Sequence, residues 1–123
     1  MINVCVFGDS VAKGVVFDEE KKKYIFLGDN FLKLVQERQP VKFRNFAKFG
    51  CTVTKGSLIM SKQRNVLSDY DYTILEFGGN DCDFDWNSVS ESPFDAHRPN
   101  ITMDIFRNTY KSMIESVIAA GST

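Results

Sequence analysis

The chain has 123 residues, of which 43% are hydrophobic and 25% charged, which is the size and composition of one soluble domain. Its formal net charge is −1, with acidic and basic residues mixed along the chain, so neither nucleic acid nor an anionic membrane is expected as a partner. No apolar run reaches the ~18 residues of a membrane span. No basic segment followed by an apolar one opens the chain, so we predict a cytoplasmic protein.

The first third of the chain is predicted to contain one strand and one helix. The near-continuous apolar run 2–7 is typical of a strand buried on both faces. Residues 11–27 are predicted to be irregular, with a charged, solvated turn at 18–23. A helix is predicted to begin near Asn30 and to stop before Pro40. Its apolar residues on one face are Phe31, Leu34 and Val35.

Two further strands and a weaker helix are predicted in the middle of the chain. Apolar residues favour a second strand at 42–47, and residues 72–77 are rich in the β-branched and aromatic residues of a third. Between them, residues 53–64 are predicted to form a helix with two inward-facing residues, Leu58 and Ile59.

The last part of the chain is predicted to be a long loop followed by a helix. Residues 80–100 are polar and aromatic without periodicity, which indicates a loop. Asp104 lies in the first turn of the predicted helix and Gly121 just past its end. The apolar residues at helical spacing are Ile105, Phe106, Tyr110, Met113, Ile114, Val117 and Ile118. Strands that alternate with helices imply a parallel sheet, so we predict a single α/β domain over 1–123, a three-layer α/β/α sandwich.

Three polar segments follow the three predicted strands, and parallel strands bring them to one edge of the sheet. Acyl transfer needs a nucleophile and donors aimed at the developing oxyanion. Ser10 can supply the hydroxyl, while its backbone amide, that of Gly50 and the side-chain amide of Asn80 can supply three donors. A glycine at position 50 also allows a substrate to approach the backbone closely. Asp9 and Asp81 are expected to hold these loops by local hydrogen bonds.

In these three segments the sequence resembles the SGNH hydrolases, the GDSL-type esterases and lipases. Residues 6–10 (Val-Phe-Gly-Asp-Ser) look like their first block, with Val11 where leucine is usual. Residues 45–50 (Asn-Phe-Ala-Lys-Phe-Gly) look like the second block, which carries the oxyanion glycine, and residues 78–81 (Gly-Gly-Asn-Asp) look like the third. The resemblance implies a flavodoxin-like topology with strand order 2-1-3, and a serine esterase or lipase that acts through an acyl-enzyme on Ser10.

The family's fourth block, Asp-x-x-His, has no counterpart in the sequence. The only histidine is His97, which has Phe94 three residues before it and lies in the loop after the third strand, so we predict a surface histidine. The resemblance therefore implies a domain truncated after the third strand and its helix, lacking the catalytic base. We expect the chain alone to be inactive, and its open sheet edge to favour self-association.

No cofactor or metal is predicted. The segment 81–85 alternates carboxylates like a calcium loop, but Trp86 occupies the position of the required glycine and Ser92 that of the final glutamate. Phe84, Trp86 and Phe94 are expected either to form an apolar wall beside Ser10 or to cover the core. Cys5, Cys51 and Cys82 are odd in number and widely spaced, which favours reduced thiols over a disulfide framework.

The predicted substrate is a small-molecule ester, with small or short-acyl esters such as acetylated carbohydrates preferred. Two other hypotheses stay open. A non-catalytic flavodoxin-like module would use the loop after the first strand to bind a phosphate, although this loop has neither the glycines nor the Gly-Lys-Ser/Thr ending of a P-loop. A remnant without catalytic function would serve as an interaction module.

Overall fold

A three-stranded parallel sheet lies at the centre of the structure, a computed structural model that describes residues 1–123. A separate two-stranded antiparallel hairpin precedes the first long helix. In chain order the elements are β1 (Ile2–Gly8), α1 (Ser10–Lys13), β2 (Val15–Asp18), β3 (Lys23–Phe26), α2 (Phe31–Arg38), β4 (Val41–Asn45), α3 (Val53–Lys62), a 3₁₀ helix (Arg64–Asp69), β5 (Tyr72–Glu76), α4 (Trp86–Glu91) and α5 (Met103–Ala119).

The strand order β4-β1-β5 confirms the order predicted from the sequence. β1 occupies the centre, where Val4 pairs with Phe43 of β4 on one side and Tyr72 of β5 on the other. All three strands are parallel, so their carboxyl ends lie along the same edge of the sheet. This edge receives the three polar segments.

Helices cover both faces of the sheet, which confirms the α/β class and the layered architecture. On one face, Cys5 and Phe7 of β1 pack against α3, the 3₁₀ helix and α5. On the other face, Val6 packs with Ala12 of α1, Leu32 of α2 and Ala47. The alternation of β1 residues between two apolar layers explains why the sequence of this strand is apolar at nearly every position.

Two segments contain more regular structure than predicted. The prediction that residues 11–27 are irregular is wrong, because they form α1 and the β2–β3 hairpin. The predicted charged turn is confirmed and connects the two strands of this hairpin. Four-residue strands are too short for their period-two pattern to stand out in the sequence. Within the predicted loop 80–100, α4 forms one short helix that Asp85 caps by accepting a hydrogen bond from the Ser88 amide at 3.3 Å.

The buried faces of two helices also differ from the sequence interpretation. In α2 only Leu32 is buried, while Phe31, Leu34 and Val35 are all exposed. In α3 the inward residues are Val53, Gly56 and Met60, and Ile59 is partly buried; the prediction that Leu58 faces inward is wrong, since it is 65% exposed. Both helices are apolar on more than one face, so tertiary packing decides which face is buried.

The outer edge of β5 is partly covered. Thr123 pairs with it as a further parallel strand would, accepting from the Thr73 amide at 2.9 Å and donating to the Asp71 carbonyl at 3.1 Å. The Tyr110 hydroxyl of α5 donates to the Leu75 carbonyl at 2.8 Å. Apolar residues beside this edge, including Ile74, stay exposed. None of the helices combines the length and the apolar character needed to cross a membrane.

Candidate active site

Ser10 lies at the carboxyl end of the central strand, where β1 passes directly into α1. Asp9 caps this short helix: its backbone is extended and its Oδ1 accepts from the Val11 amide at 2.8 Å. Ser10 is the first helical residue and is half-buried. The hydrogen bonds of this turn involve the amides of Asp9, Val11 and Ala12 and leave the Ser10 hydroxyl unpaired. The hydroxyl is therefore available to a ligand.

The segment that leads to Gly50 is held against the Ser10 turn. Asn45 donates from Nδ2 to the Ala12 carbonyl at 2.8 Å and accepts from the Ala47 amide at 2.9 Å. The Lys48 amide donates to the Gly8 carbonyl at 3.1 Å. Gly50 has φ +69°, a left-handed conformation that favours glycine, and a Cβ there would meet open space. The backbone conformation at position 50 therefore favours glycine, for a reason that the sequence alone did not reveal.

The loop after β5 closes against the same region. Asn80 donates from Nδ2 to the Cys51 carbonyl at 3.1 Å, next to Gly50, and its own carbonyl accepts from Asn100 Nδ2 at 2.9 Å. A Cβ placed on Gly79 would lie 3.8 Å from Asp9 Oδ2. The loops after β1, β4 and β5 thus contact one another at one edge of the sheet.

Asp81 is buried and joins this loop to α3. Its Oδ1 accepts from the Val53 amide at the first position of α3, at 2.8 Å. The contact spans 28 positions in the chain, so it is less local than predicted. The other oxygen, Oδ2, is buried without a hydrogen-bond partner. Asp81 also lines a mostly apolar cavity of about 340 Å³ beside Asn80. The other residues that line this cavity are Gly78, Cys82, Pro99, Ile101, Met103 and Phe106.

Two backbone amides at this edge make no hydrogen bond within the chain. Neither the Ser10 nor the Gly50 N–H donates to a backbone acceptor in the turns and loops. The Asn80 side chain uses one N–H for the Cys51 carbonyl and has a second to offer. The three donors named from the sequence therefore retain donor capacity in loops that contact one another.

Glu76, at the end of β5, is a residue of this region that the sequence interpretation missed. Its Oε2 accepts from the amides of Asp9 at 3.2 Å and Ala12 at 3.3 Å. Burial raises the pKa of this carboxyl above its ordinary value of 4.5, and a side-chain hydrogen bond with Asp9 raises it further. The sequence signal that could have identified Glu76 is its position as an acidic residue directly after the apolar pair Ile74-Leu75.

His97 interacts with the neighbourhood of α4. Its Nε2 lies 2.7 Å from the Ser92 carbonyl, and its charge contributes to lowering the pKa of Asp85, after the hydrogen bonds from Ser88 and the Asn87 amide. The imidazole makes no hydrogen bond with Ser10. Phe94 is fully exposed, while Phe84 packs on Trp86. Phe94 therefore covers no part of the core.

The cysteines are free, and the two that follow the site segments bond to backbone carbonyls. Cys51 Sγ donates to the Thr52 carbonyl at 3.4 Å, and Cys82 Sγ to the Gly79 carbonyl at 3.6 Å. Burial raises the pKa of the Cys51 thiol, which disfavours the reactive thiolate. No group of three or more His, Cys, Asp or Glu side chains is arranged to hold a metal ion.

Among solved structures, the chain is similar to a crystal structure of the lipase/acylhydrolase from Enterococcus faecalis, with a TM-score of 0.65 and 22% sequence identity. The match covers 95% of this chain and 52% of that chain, so this chain spans about half the length of the protein it resembles. At this identity the likeness establishes the fold. No protein-family model matches the sequence, and no curated protein does.

Proposed function

We propose that this chain is the nucleophile-bearing part of a serine ester hydrolase of the SGNH type. The observation that carries the proposal is the position of Ser10, an unpaired hydroxyl at the carboxyl end of the central strand. The turn around it contacts the loops of Gly50, whose amide is unpaired, and of Asn80, whose side chain has one N–H to offer. The shared fold with a lipase/acylhydrolase supports the same reaction class. Fold alone does not define activity, so the proposal depends on the site.

In the proposed reaction, Ser10 Oγ attacks the acyl carbon of the ester while a general base takes its proton. The carbonyl oxygen becomes an oxyanion, which the amides of Ser10 and Gly50 and the side chain of Asn80 stabilise. The base returns the proton to the departing alcohol, and water then hydrolyses the acyl-enzyme. The only imidazole, His97, bonds the Ser92 carbonyl and not Ser10, so we propose that the base is supplied by a segment other than residues 1–123.

The proposed substrates are small or short-acyl esters such as acetylated carbohydrates. The apolar cavity of about 340 Å³ beside Asn80 is large enough for a short acyl chain. On the Gly50 side, Phe49 is half-exposed and continues an aromatic row through Tyr24 to Phe17, with ring centroids 5.5 and 5.3 Å apart. Exposed aromatic rings provide stacking surfaces for a sugar.

Hydrolysis of a chromogenic acetate ester tests the nucleophile. Residues 1–123 alone are expected to show no serine-dependent turnover, since losing the triad histidine costs roughly a million-fold in turnover. Addition of a C-terminal segment with strands and an Asp-x-x-His block, in one chain or as a complementing fragment, is expected to produce activity that Ser10→Ala abolishes. Ser112→Ala, at an exposed serine of α5, is the matched control.

Activity that survives Ser10→Ala would contradict the role of Ser10. Strong hydrolysis by residues 1–123 that both Ser10→Ala and His97→Ala remove would show that His97 is the base and that no further segment is needed.

A second candidate function is a non-catalytic binding module. The unpaired amides of Ser10 and Gly50 favour it, because they suit a bound anion as well as an oxyanion. Titration with flavin mononucleotide or a nucleotide separates the two. Stoichiometric binding without serine labelling by a fluorophosphonate favours the module.

A further inference from the structure

Aromatic side chains occupy one face of the β2–β3 hairpin, which we call the hairpin face. Phe17 pairs with Tyr24 and Val15 with Phe26, and side chains of paired residues point to the same side of a sheet. The rings of Phe17 and Tyr24 meet edge to face, with centroids 5.3 Å apart. Tyr24 and Phe26 are nevertheless 64% and 65% exposed. Contiguous exposed apolar surface of this kind marks a binding surface.

The hairpin face borders the candidate active site. Phe49, directly before the proposed oxyanion glycine, extends the face, because its ring centroid lies 5.5 Å from that of Tyr24. At the base of the hairpin, the Leu27 amide donates to the Gly14 carbonyl at 2.8 Å. Gly14 directly follows α1, the helix that begins with Ser10. The hairpin is therefore attached both to the turn of the proposed nucleophile and to the turn of the oxyanion glycine.

The hairpin face also carries a positive charge. Lys13 Nζ lies 5.7 Å from the centroid of the Phe26 ring, in a cation–π contact. Neither Lys13 nor Lys48, which precedes Phe49, takes part in any of the salt bridges of the chain. The carboxylate of β2, Asp18, alternates onto the opposite face of the hairpin. An anionic group on the hairpin face would therefore meet an ammonium that has no other ionic partner.

We propose that the hairpin face binds the sugar of an acidic carbohydrate ester, a pyranose ring that carries a carboxylate. The C–H groups of the sugar ring pack on Tyr24 and Phe49, and the carboxylate pairs with Lys13. Sugar hydroxyls bond the Tyr24 hydroxyl, which can donate and accept, and the charged turn 18–23 beside it. The acyl group then occupies the cavity beside Asn80.

This inference rests on the proposed function for the ester bond that joins the sugar to the acyl group. Binding of the sugar itself involves neither the Ser10 hydroxyl nor a general base, so it is measurable on residues 1–123 without turnover. The two hypotheses can therefore fail separately.

Ligand-observed NMR of residues 1–123 with two matched probes tests the binding. Methyl glucuronide carries a carboxylate where methyl glucoside carries a hydroxymethyl group. We expect the glucuronide to bind about threefold more tightly, the worth of one exposed ion pair, and added salt to remove the difference. Equal affinity for the two probes at low salt, or no binding of the glucuronide, would overturn the proposal.

Variants of the aromatic rings locate the site. Tyr24→Ala should weaken glucuronide binding about tenfold, the worth of roughly 50 Å² of ring surface removed from water. Tyr72→Ala, at a half-exposed tyrosine of β5 at the opposite edge of the sheet, is the matched control. Because Tyr24→Ala also removes a contact within the hairpin, Phe49→Leu, outside the hairpin, is a second variant that should weaken binding. Unchanged affinity in both would overturn the proposal.

Light scattering separates a sugar from a second copy of the chain as the occupant of the hairpin face. If Tyr24→Ala turns a self-associated chain into a monomer while neither probe binds the unmodified chain, the face is an interface between copies and the proposal is wrong.

Variants of the charges test the acidic character of the ligand. Lys13→Gln should remove the preference for the glucuronide and leave the affinity for the glucoside unchanged. Lys23→Gln, on the opposite face of the same hairpin, is the matched control. Ser10→Ala should bind both probes like the unmodified chain. Hydrolysis of a chromogenic acetate by the complemented chain without binding of the glucuronide would contradict the hairpin-face proposal alone. Binding of the glucuronide without such hydrolysis would support the hairpin face and contradict the proposed function alone.

Discussion

Replacing Gly56 with alanine tests how closely α3 packs on the residue that leads into the Asn80 loop. A Cβ on Gly56 would overlap Cζ and Cε1 of Phe77, well inside the 3.4–4 Å of ordinary contact. Phe77 packs against the core, so its ring can move only by disturbing its neighbours. Overpacking of this kind costs about 1–3 kcal/mol, while alanine gains about 1 kcal/mol over glycine inside a helix. We expect Gly56→Ala to lose about 1 kcal/mol of the free energy of unfolding.

A double-mutant cycle isolates the clash from helix propensity. Phe77→Leu removes the ring atoms that Gly56→Ala would meet, so in that background Gly56→Ala should gain about 1 kcal/mol, a coupling of about 2 kcal/mol. The assay is urea unfolding of the four proteins with a common slope. Gly28→Ala, in a turn outside the helices, controls for the replacement of a glycine where a Cβ meets no atom within 4 Å. If Gly56→Ala changes stability equally in both backgrounds, the proposed contact is not what limits position 56.

The remaining predictions concern the Gly50 turn and the outer edge of β5. Gly50→Ala should cost about 1–2 kcal/mol in urea unfolding because of its positive φ, although its Cβ would meet open space; a cost as small as that of Gly28→Ala would contradict this. Residues 1–123 should self-associate, because Ile74 and its neighbours stay exposed although Thr123 and Tyr110 satisfy part of the edge. Light scattering at tens of micromolar checks this, and a monodisperse monomer would contradict it.

The strands of the sheet were predictable because their signals are local. The run 2–7 is apolar throughout, as a strand with helices on both faces must be, and it became the central strand. The hairpin β2–β3 was missed because its strands have four residues each and are stabilised by pairing with one another. Part of that pairing is the contact between Phe17 and Tyr24, which lie on opposite sides of a charged turn.

The residues of the candidate site could be named from the sequence, but the contacts among them could not. Ser10, Gly50 and Asn80 could be named because each follows a recognisable strand, and parallel strands share an edge. Glu76 could not be assigned a partner, since a glutamate in a strand gives no indication of which amide or carboxyl lies across the sheet.

The sequence by itself determined the order and type of the main elements, because apolar periodicity and capping residues such as Asn30 act within a few residues of the chain. Only the tertiary structure decided which helix faces are buried, as when α3 places Gly56 rather than Leu58 against the sheet. It also brought Glu76 to the Asp9 turn, 67 positions away in the chain, and buried its carboxyl group, which raises the pKa of Glu76. Burial and charge proximity depend on distances in space, and a linear sequence does not contain them.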